Sequence, residues 1–413
     1  MSRSLESKTI AKNTTMLYIM NITKIVLPLI TLPYLTRVLS KECYGTVSYV
    51  KAIMQYMQVV VDFGFLLSAT KDVVNSKEDK SKLAYVVGNT LLAKLLLVMA
   101  ALAVLSAMIV VVPILRHNIL FTLLSFAVVA MTCLLMDFLF RGLEEMHIIT
   151  IRYVLMRSIA AVLTFAFVRS DADMLWIPVL DIIGSAAAIL LVFAEMKKRN
   201  IGIRTEGIGK AFEKLKESAV FFLSGMAATT FNALNTLLIG ILVDAEHVAE
   251  WSVCMQMVTA VQSMYTPITD GIYPHMVKNR SWKLIARTTK LFMTIITAGC
   301  VFTFFAARYA LLIVGGEKYI TAVPLLRAFI PLLFFSFPAM LYGWPALGAI
   351  GKEKETTATT MITAGLQVLG LLILMLVGRF EVAYLAVLRG FTEACMFAMR
   401  YWLCRKNKGA FAQ

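Results

Sequence analysis

Leu95 to Leu115 reads LLLVMAALAVLSAMIVVVPIL, 21 residues without a charge. A helix needs about twenty apolar residues to cross the hydrocarbon of a bilayer. Ile119 to Met136 and Leu366 to Val377 are runs of the same kind, and such runs recur along the whole chain. The composition agrees: the chain is 59% hydrophobic and 16% charged. Water-soluble domains hold roughly 45–50% apolar and about 25% charged residues. No soluble fold hides that much apolar surface, so the solvent of this chain is lipid.

Working outward from these runs, the sequence predicts an all-α integral membrane protein of about twelve transmembrane helices, from Thr15–Thr36 at one end to Val382–Leu403 at the other. A formal net charge of +15 raises the question of nucleic acid. With both termini placed in the cytoplasm, most Lys and Arg residues fall in inside segments, the densest being Lys197 to Lys216 and Lys278 to Lys290. That is the positive-inside pattern of a membrane protein, and it removes nucleic acid as a partner. The polar start 1–13 has no short apolar region with a cleavage site, so the first helix reads as an uncleaved anchor. Met196 to Ser218 is the longest connector and divides the chain into six-helix lobes, 1–205 and 206–413. An even number of helices per lobe gives both the same orientation, as in transporters built from parallel repeats. A shift of 204 residues lays Glu42, Ser48 and Gln58 on Glu246, Ser252 and Gln262.

Polar side chains form stripes on apolar helices. Asn21, Lys24, Pro28 and Thr31 share one face of the first helix. Ser48, Lys51, Gln55, Gln58 and Asp62 do the same on the second, and Thr229, Asn232 and Thr236 make a shorter stripe on the seventh. On the eighth lie Ser252, Gln256, Thr259, Ser263, Thr266 and Asp270, with Gln262 beside them. Any single such residue is explained by hydrogen bonding between helices. Stripes on corresponding helices of both halves point to a hydrated cavity. The polar lining then comprises Asn21, Gln55, Gln58, Thr259 and Gln262.

An ionisable residue near the bilayer centre costs about 2.5–3.5 kcal/mol, so it faces a partner or water. Lys24, Lys51, Lys94, Arg327 and Arg389 fall in the middle and outer half of their helices, opposed mainly by Asp181 and Glu393. Asp62, Asp137 and Asp270 fall near the cytoplasmic ends and read as rim partners of Lys71, Arg141 and Lys278. The deep chamber is net cationic and suits an anionic substrate such as a phosphate or diphosphate, with Lys24 and Lys51 as the leading ligands. Arg389 and Glu393, spaced i, i+4, are either a structural ion pair or a coupling element. Pro324, Pro331, Pro338 and Pro345 recur every seven residues in the tenth helix and build bending into it.

The parts of an enzyme are missing. GAIGKE at Gly348 to Glu353 lacks the spacing and the hydroxyl of a phosphate-binding loop. Asp171 and Asp173 read as solvated loop acids. The histidines and cysteines show no metal-type spacing. We expect no catalytic residues, metal or cofactor.

Several strings carry a family resemblance: LPYLTRVL at Leu32 to Leu39 followed by Tyr44 and Gly45, DFGFLLSATK from Asp62, RGLEEMHIITI from Arg141, LKESAVFFLS from Leu215 and PITDGIYPHM from Pro267. In this order they resemble the bacterial polysaccharide flippases of the multidrug, oligosaccharidyl-lipid and polysaccharide exporter superfamily. The chain departs from that pattern at Arg141, where glutamine is frequent, and at Ser40 to Cys43, where glycine and proline are common. The resemblance implies an inner-membrane protein that moves an undecaprenyl diphosphate-linked repeat unit from the cytoplasmic to the periplasmic leaflet for O-antigen or capsule assembly. On that reading Lys24, Lys51 and Arg389 hold the diphosphate, and Gln55, Gln58, Thr259 and Gln262 meet sugar or water. Proton or sodium coupling would involve Asp62 or Glu393. We expect a functional monomer in contact with membrane lipid, with glycan polymerase machinery as its protein partner. A drug or cation antiporter of the same superfamily would need unpaired deep acids, and a glycan polymerase or ligase a large periplasmic loop.

Overall fold

The computed structural model describes the backbone of residues 2–412; the side chains of 2–12, of 14 and of several residues between 220 and 232, Asn232 among them, lie outside the description. The described chain is helical, with a single isolated β-bridge, Ser281 to Ala412. Helices α1 (Ser2–Val38), α2 (Lys41–Ser76), α3 (Lys80–Val111), α4 (Ile119–Gly142), α5 (Met146–Phe167) and α6 (Trp176–Lys198) are followed by α7 (Ile208–Leu242). Then come α8 (Ala245–Ser263, continued by Thr266–Asn279), α9 (Trp282–Gly315), α10 (Ile330–Ile350), α11 (Glu353–Leu376) and α12 (Val382–Lys406). Among the described residues ten of these are long and apolar enough to cross a membrane; α7 and α8, the polar-striped seventh and eighth helices of the sequence, complete the twelve. The chain is an all-α, multi-pass membrane protein.

It divides into two compact units, Met1–Ile241 and Leu242–Gln413. The first unit thus includes nearly all of α7, which is tied to α2 by the hydroxyls of Ser68 and Ser218, 2.6 Å apart, and by stacked rings of Phe63 and Phe222. The connector before α7 is strapped to α3. Arg204 N donates to Ala84 O at 3.0 Å, and the buried Asn89 side chain binds both Glu206 and Thr205. Gly88 is what lets the strap lie so close, because a Cβ there would run into the Arg204 carbonyl.

Besides the turn at Met264 and Tyr265 that divides α8, three helices are interrupted inside their spans. α2 breaks after Asp62, where Phe63 and Gly64 take φ of 43° and 78°. α4 tightens into a 3-10 turn at Thr132–Leu135 and passes through Met136 at φ 51° before resuming at Asp137. α10 widens over Tyr342–Leu347 around Gly343, whose ψ of −114° is not helical, with Pro345 removing a backbone donor. The bending read from the heptad-spaced prolines is present in α10.

The two units repeat one another's internal contacts at the 204-residue shift. Ser40 caps α2 by accepting from Cys43 N, and Asp244 caps α8 by accepting from His247 N. Gln58 donates to the Thr132 hydroxyl at 3.0 Å, and Gln262 donates to the Ser336 hydroxyl at 2.9 Å. A glutamine on α2 thus ties it to a hydroxyl on α4, and a glutamine on α8 ties it to a hydroxyl on α10.

Candidate functional site

Positive charge gathers in the first unit where α1, α2, α5 and α6 meet. Lys24 and Lys51 are exposed on their helices. The Lys24 ammonium lies over the Tyr153 ring, 5.3 Å from its centroid, and Arg157 approaches the same ring at 6.0 Å. Lys24 is within electrostatic reach of Asp137, Arg152 and Arg157, and Lys51 of Asp181 and Arg157. Arg157 meets Asp181 at 3.3 Å, and Arg152 pairs with Asp137. Four cations therefore face two carboxylates. Arg152 is 3% exposed, and its Nε is a buried donor without a hydrogen-bond partner among the described residues. Such an orphan inside a cationic group marks a place where an acceptor can be taken up.

Two of the cations, Arg152 and Arg157, were not among the sequence candidates. They lie one helical turn and more inside α5, where an ionisable residue within a membrane helix marks their positions but not their partners.

Lys94 is engaged elsewhere. Its ammonium sits 3.0 Å from Asp62, which also accepts from Gln58 at 2.8 Å, while Gln58 reaches Thr132. This node lies directly at the breaks of α2 and α4. It corrects the reading of Asp62 as a rim partner of Lys71. Because α2 continues past its break to Ser76, Asp62 sits well inside the span rather than at its end. The same holds for Asp137: α4 resumes beyond Met136, and Asp137 pairs with Arg152 instead of Arg141.

In the second unit Arg327 is exposed, donates to Phe304 O at 3.0 Å and covers the Phe304 ring. Arg389 and Glu393 are buried at 6% and 7% exposure, and Glu393 lies within reach of both Arg389 and Arg400. Arg400 stabilises the α10 bend. It donates to Ala339 O at 2.7 Å, to Thr359 at 3.0 Å and to Thr360 at 2.9 Å. Thr392 donates to Gln367 at 3.0 Å. Of the expected polar lining, Asn21, Gln55 and Thr259 are exposed, whereas Gln58 and Gln262 spend their amides on the helix ties described above. No group of three or more His, Cys, Asp or Glu side chains able to hold a metal ion occurs among the described residues.

A family model described as "Polysaccharide biosynthesis protein" matches residues 10–280. A protein of Escherichia coli strain K12 named "Putative O-antigen transporter" is 27% identical over 92% of this chain and 93% of its own length. A protein of Shigella dysenteriae with the same name is 24% identical over 83% of this chain and 87% of its own length. Among solved structures, the fold is similar to the inward-facing conformation of a multidrug resistance MATE family transporter of the MOP superfamily. That likeness has TM-score 0.72 and 13% identity, covering 93% of this chain and 95% of the other. The outward-facing conformation of such a transporter gives TM-score 0.60 at 13% identity, over 95% and 94% of the two chains.

Proposed function

Because the chain belongs to the polysaccharide biosynthesis protein family, we propose that it is a flippase, moving an undecaprenyl diphosphate-linked oligosaccharide, the repeat unit of an O-antigen or capsule, from the cytoplasmic to the periplasmic leaflet. The protein is a multi-pass protein of a bacterial cytoplasmic membrane. The observation that carries the proposal is the cationic constellation of the first unit: Lys24, Lys51, Arg152 and Arg157 against Asp137 and Asp181. A diphosphate offers the charge that this surplus lacks. Arg157 presents a planar fork for paired phosphate oxygens, Arg152 adds its unpartnered Nε, and Lys24 and Lys51 act as point charges. Asn21 and Gln55 are exposed for hydroxyl groups. Export by alternating access draws on an ion gradient, with Asp62 or Glu393 as the coupling carboxylate. The relatives' names support the substrate class. An antiporter of organic cations would want free acids, yet Asp62, Asp137 and Asp181 are all ion-paired.

The test is complementation of a flippase-deleted host, scoring long-chain surface polysaccharide alongside membrane expression. Wild-type rescue that is lost in well-expressed Lys24→Ala, Lys51→Ala and Arg157→Ala supports transport and the site together. Rescue by all three variants removes the site.

A further inference from the structure

The second unit carries a group of charges that lies outside the cationic site proposed above. The C-terminal tail folds back after α12 onto the turn between α8 and α9: Ala412 N donates to Arg280 O at 2.8 Å, Trp282 N donates to Ala412 O at 3.1 Å, and Phe411 is buried against the Trp282 ring. This brings Arg405, Lys406 and Lys408 beside Lys278, Arg280 and Lys283, two stretches more than 120 residues apart in sequence. Three of these cations lie over aromatic rings: Lys408 over Trp282 at 6.0 Å, Lys406 over Trp402 at 5.1 Å and Arg405 over Tyr401 at 5.6 Å.

All six are exposed, and none is in an ion pair among the described residues. The basic connector of the first unit differs in being partly neutralised. There Arg199 is neutralised by Glu145 and Glu195, Lys210 by Glu213, and Lys214 by Asp72 and Glu217. At the connector three cations are spent inside the protein while Lys197, Lys198 and Lys216 stay exposed; at the tail all six are offered outward. The tail site also has a fixed depth, because α9 begins at Trp282 and α12 ends at Lys406, so it lies where membrane-spanning helices emerge. Trp402 is 59% exposed at that level. Basic side chains interleaved with tryptophan at a helix end match the phosphate and glycerol layer of a bilayer.

We infer that the tail and the α8–α9 turn form a binding site for anionic phospholipid headgroups, which anchors the second unit at the membrane surface. The full-length protein is reconstituted in bilayers of phosphatidylcholine with phosphatidylglycerol, and quenching of tryptophan fluorescence by the brominated form of each lipid gives their relative occupancy. The wild type prefers phosphatidylglycerol. Lys278→Gln, Arg280→Gln, Lys406→Gln and Lys408→Gln combined weaken that preference by at least tenfold, at roughly fivefold per charge. Arginine at the three lysine positions retains it, as does a control with the ion-paired connector lysines Lys210 and Lys214 changed to Gln. A preference unchanged in the patch variant, or lost equally in the control, overturns the inference. A wild type without any preference overturns it too and leaves the patch to an acidic protein.

Discussion

Replacing Asp62 by Thr and Lys94 by Ala copies into the first unit what the second unit already has. At the 204-residue shift, Thr266 and Ala298 occupy the places of Asp62 and Lys94, while the glutamine-to-hydroxyl tie is present in both units. The fold therefore does not need the charges at this node. Removing one member of a buried ion pair costs about 3–5 kcal/mol. The Lys94 side chain is 9% exposed and the Asp62 side chain 45% exposed, so the two losses differ. Asp62→Thr strands a buried ammonium and costs about 2–3 kcal/mol after allowing for the open side of the pair. Lys94→Ala leaves a carboxylate that can turn to water and costs about 1 kcal/mol. The double variant costs about 1 kcal/mol or less, giving a coupling of about 2 kcal/mol across the cycle. Thermal unfolding in detergent reads this directly, since Cys133, Cys254, Cys300 and Cys404 are buried and react with a thiol dye only when the fold opens. A double variant as unstable as the sum of the single changes would refute the argument. A stable double variant that no longer exports glycan assigns the pair to transport.

Gly88→Ala drives a methyl group into the Arg204 carbonyl and detaches the connector strap, costing about 1–3 kcal/mol and increasing protease cleavage within 199–207. Arg400→Met leaves Ala339 O at the α10 bend without its donor; the same thiol assay should show a loss of about 1–3 kcal/mol, while Arg400→Lys keeps one of the three bonds and falls between. Gly64→Ala meets both a positive φ and the Phe221 side chain, so it lowers stability by about 1–3 kcal/mol and alters the α2 break.

Much of the architecture was readable because its signal is additive. Runs such as Leu95 to Leu115 are decided by the sum of many transfer energies, and one misread residue changes nothing. The internal repeat was visible at Gln58 and Gln262, though only the structure adds Thr132 and Ser336, whose hydroxyls look like ordinary helix residues in sequence. Pairings were less legible, because they depend on the breaks at Phe63, Gly64 and Met136. Those breaks carry little sequence signal: one glycine for the first and none for Met136. Without them, counting along a straight helix puts Asp62 and Asp137 near a membrane edge and hides their pairing with Lys94 and Arg152. Arg157 escaped notice for a related reason. Its meaning comes from Lys51 and Asp181 on other helices, and no spacing within α5 reveals either.

The central claim is that this chain carries a lipid-linked diphosphate saccharide across a bilayer by means of the cationic group in its first unit. The most direct measurement reconstitutes the purified protein in vesicles holding an undecaprenyl diphosphate-linked oligosaccharide on the inner leaflet, and follows its arrival outside with a membrane-impermeant lectin. Wild-type protein should expose the glycan at a rate that Arg157→Ala with Lys51→Ala reduces by more than tenfold. Exposure no faster than in protein-free vesicles, under either a proton or a sodium gradient, would contradict the account.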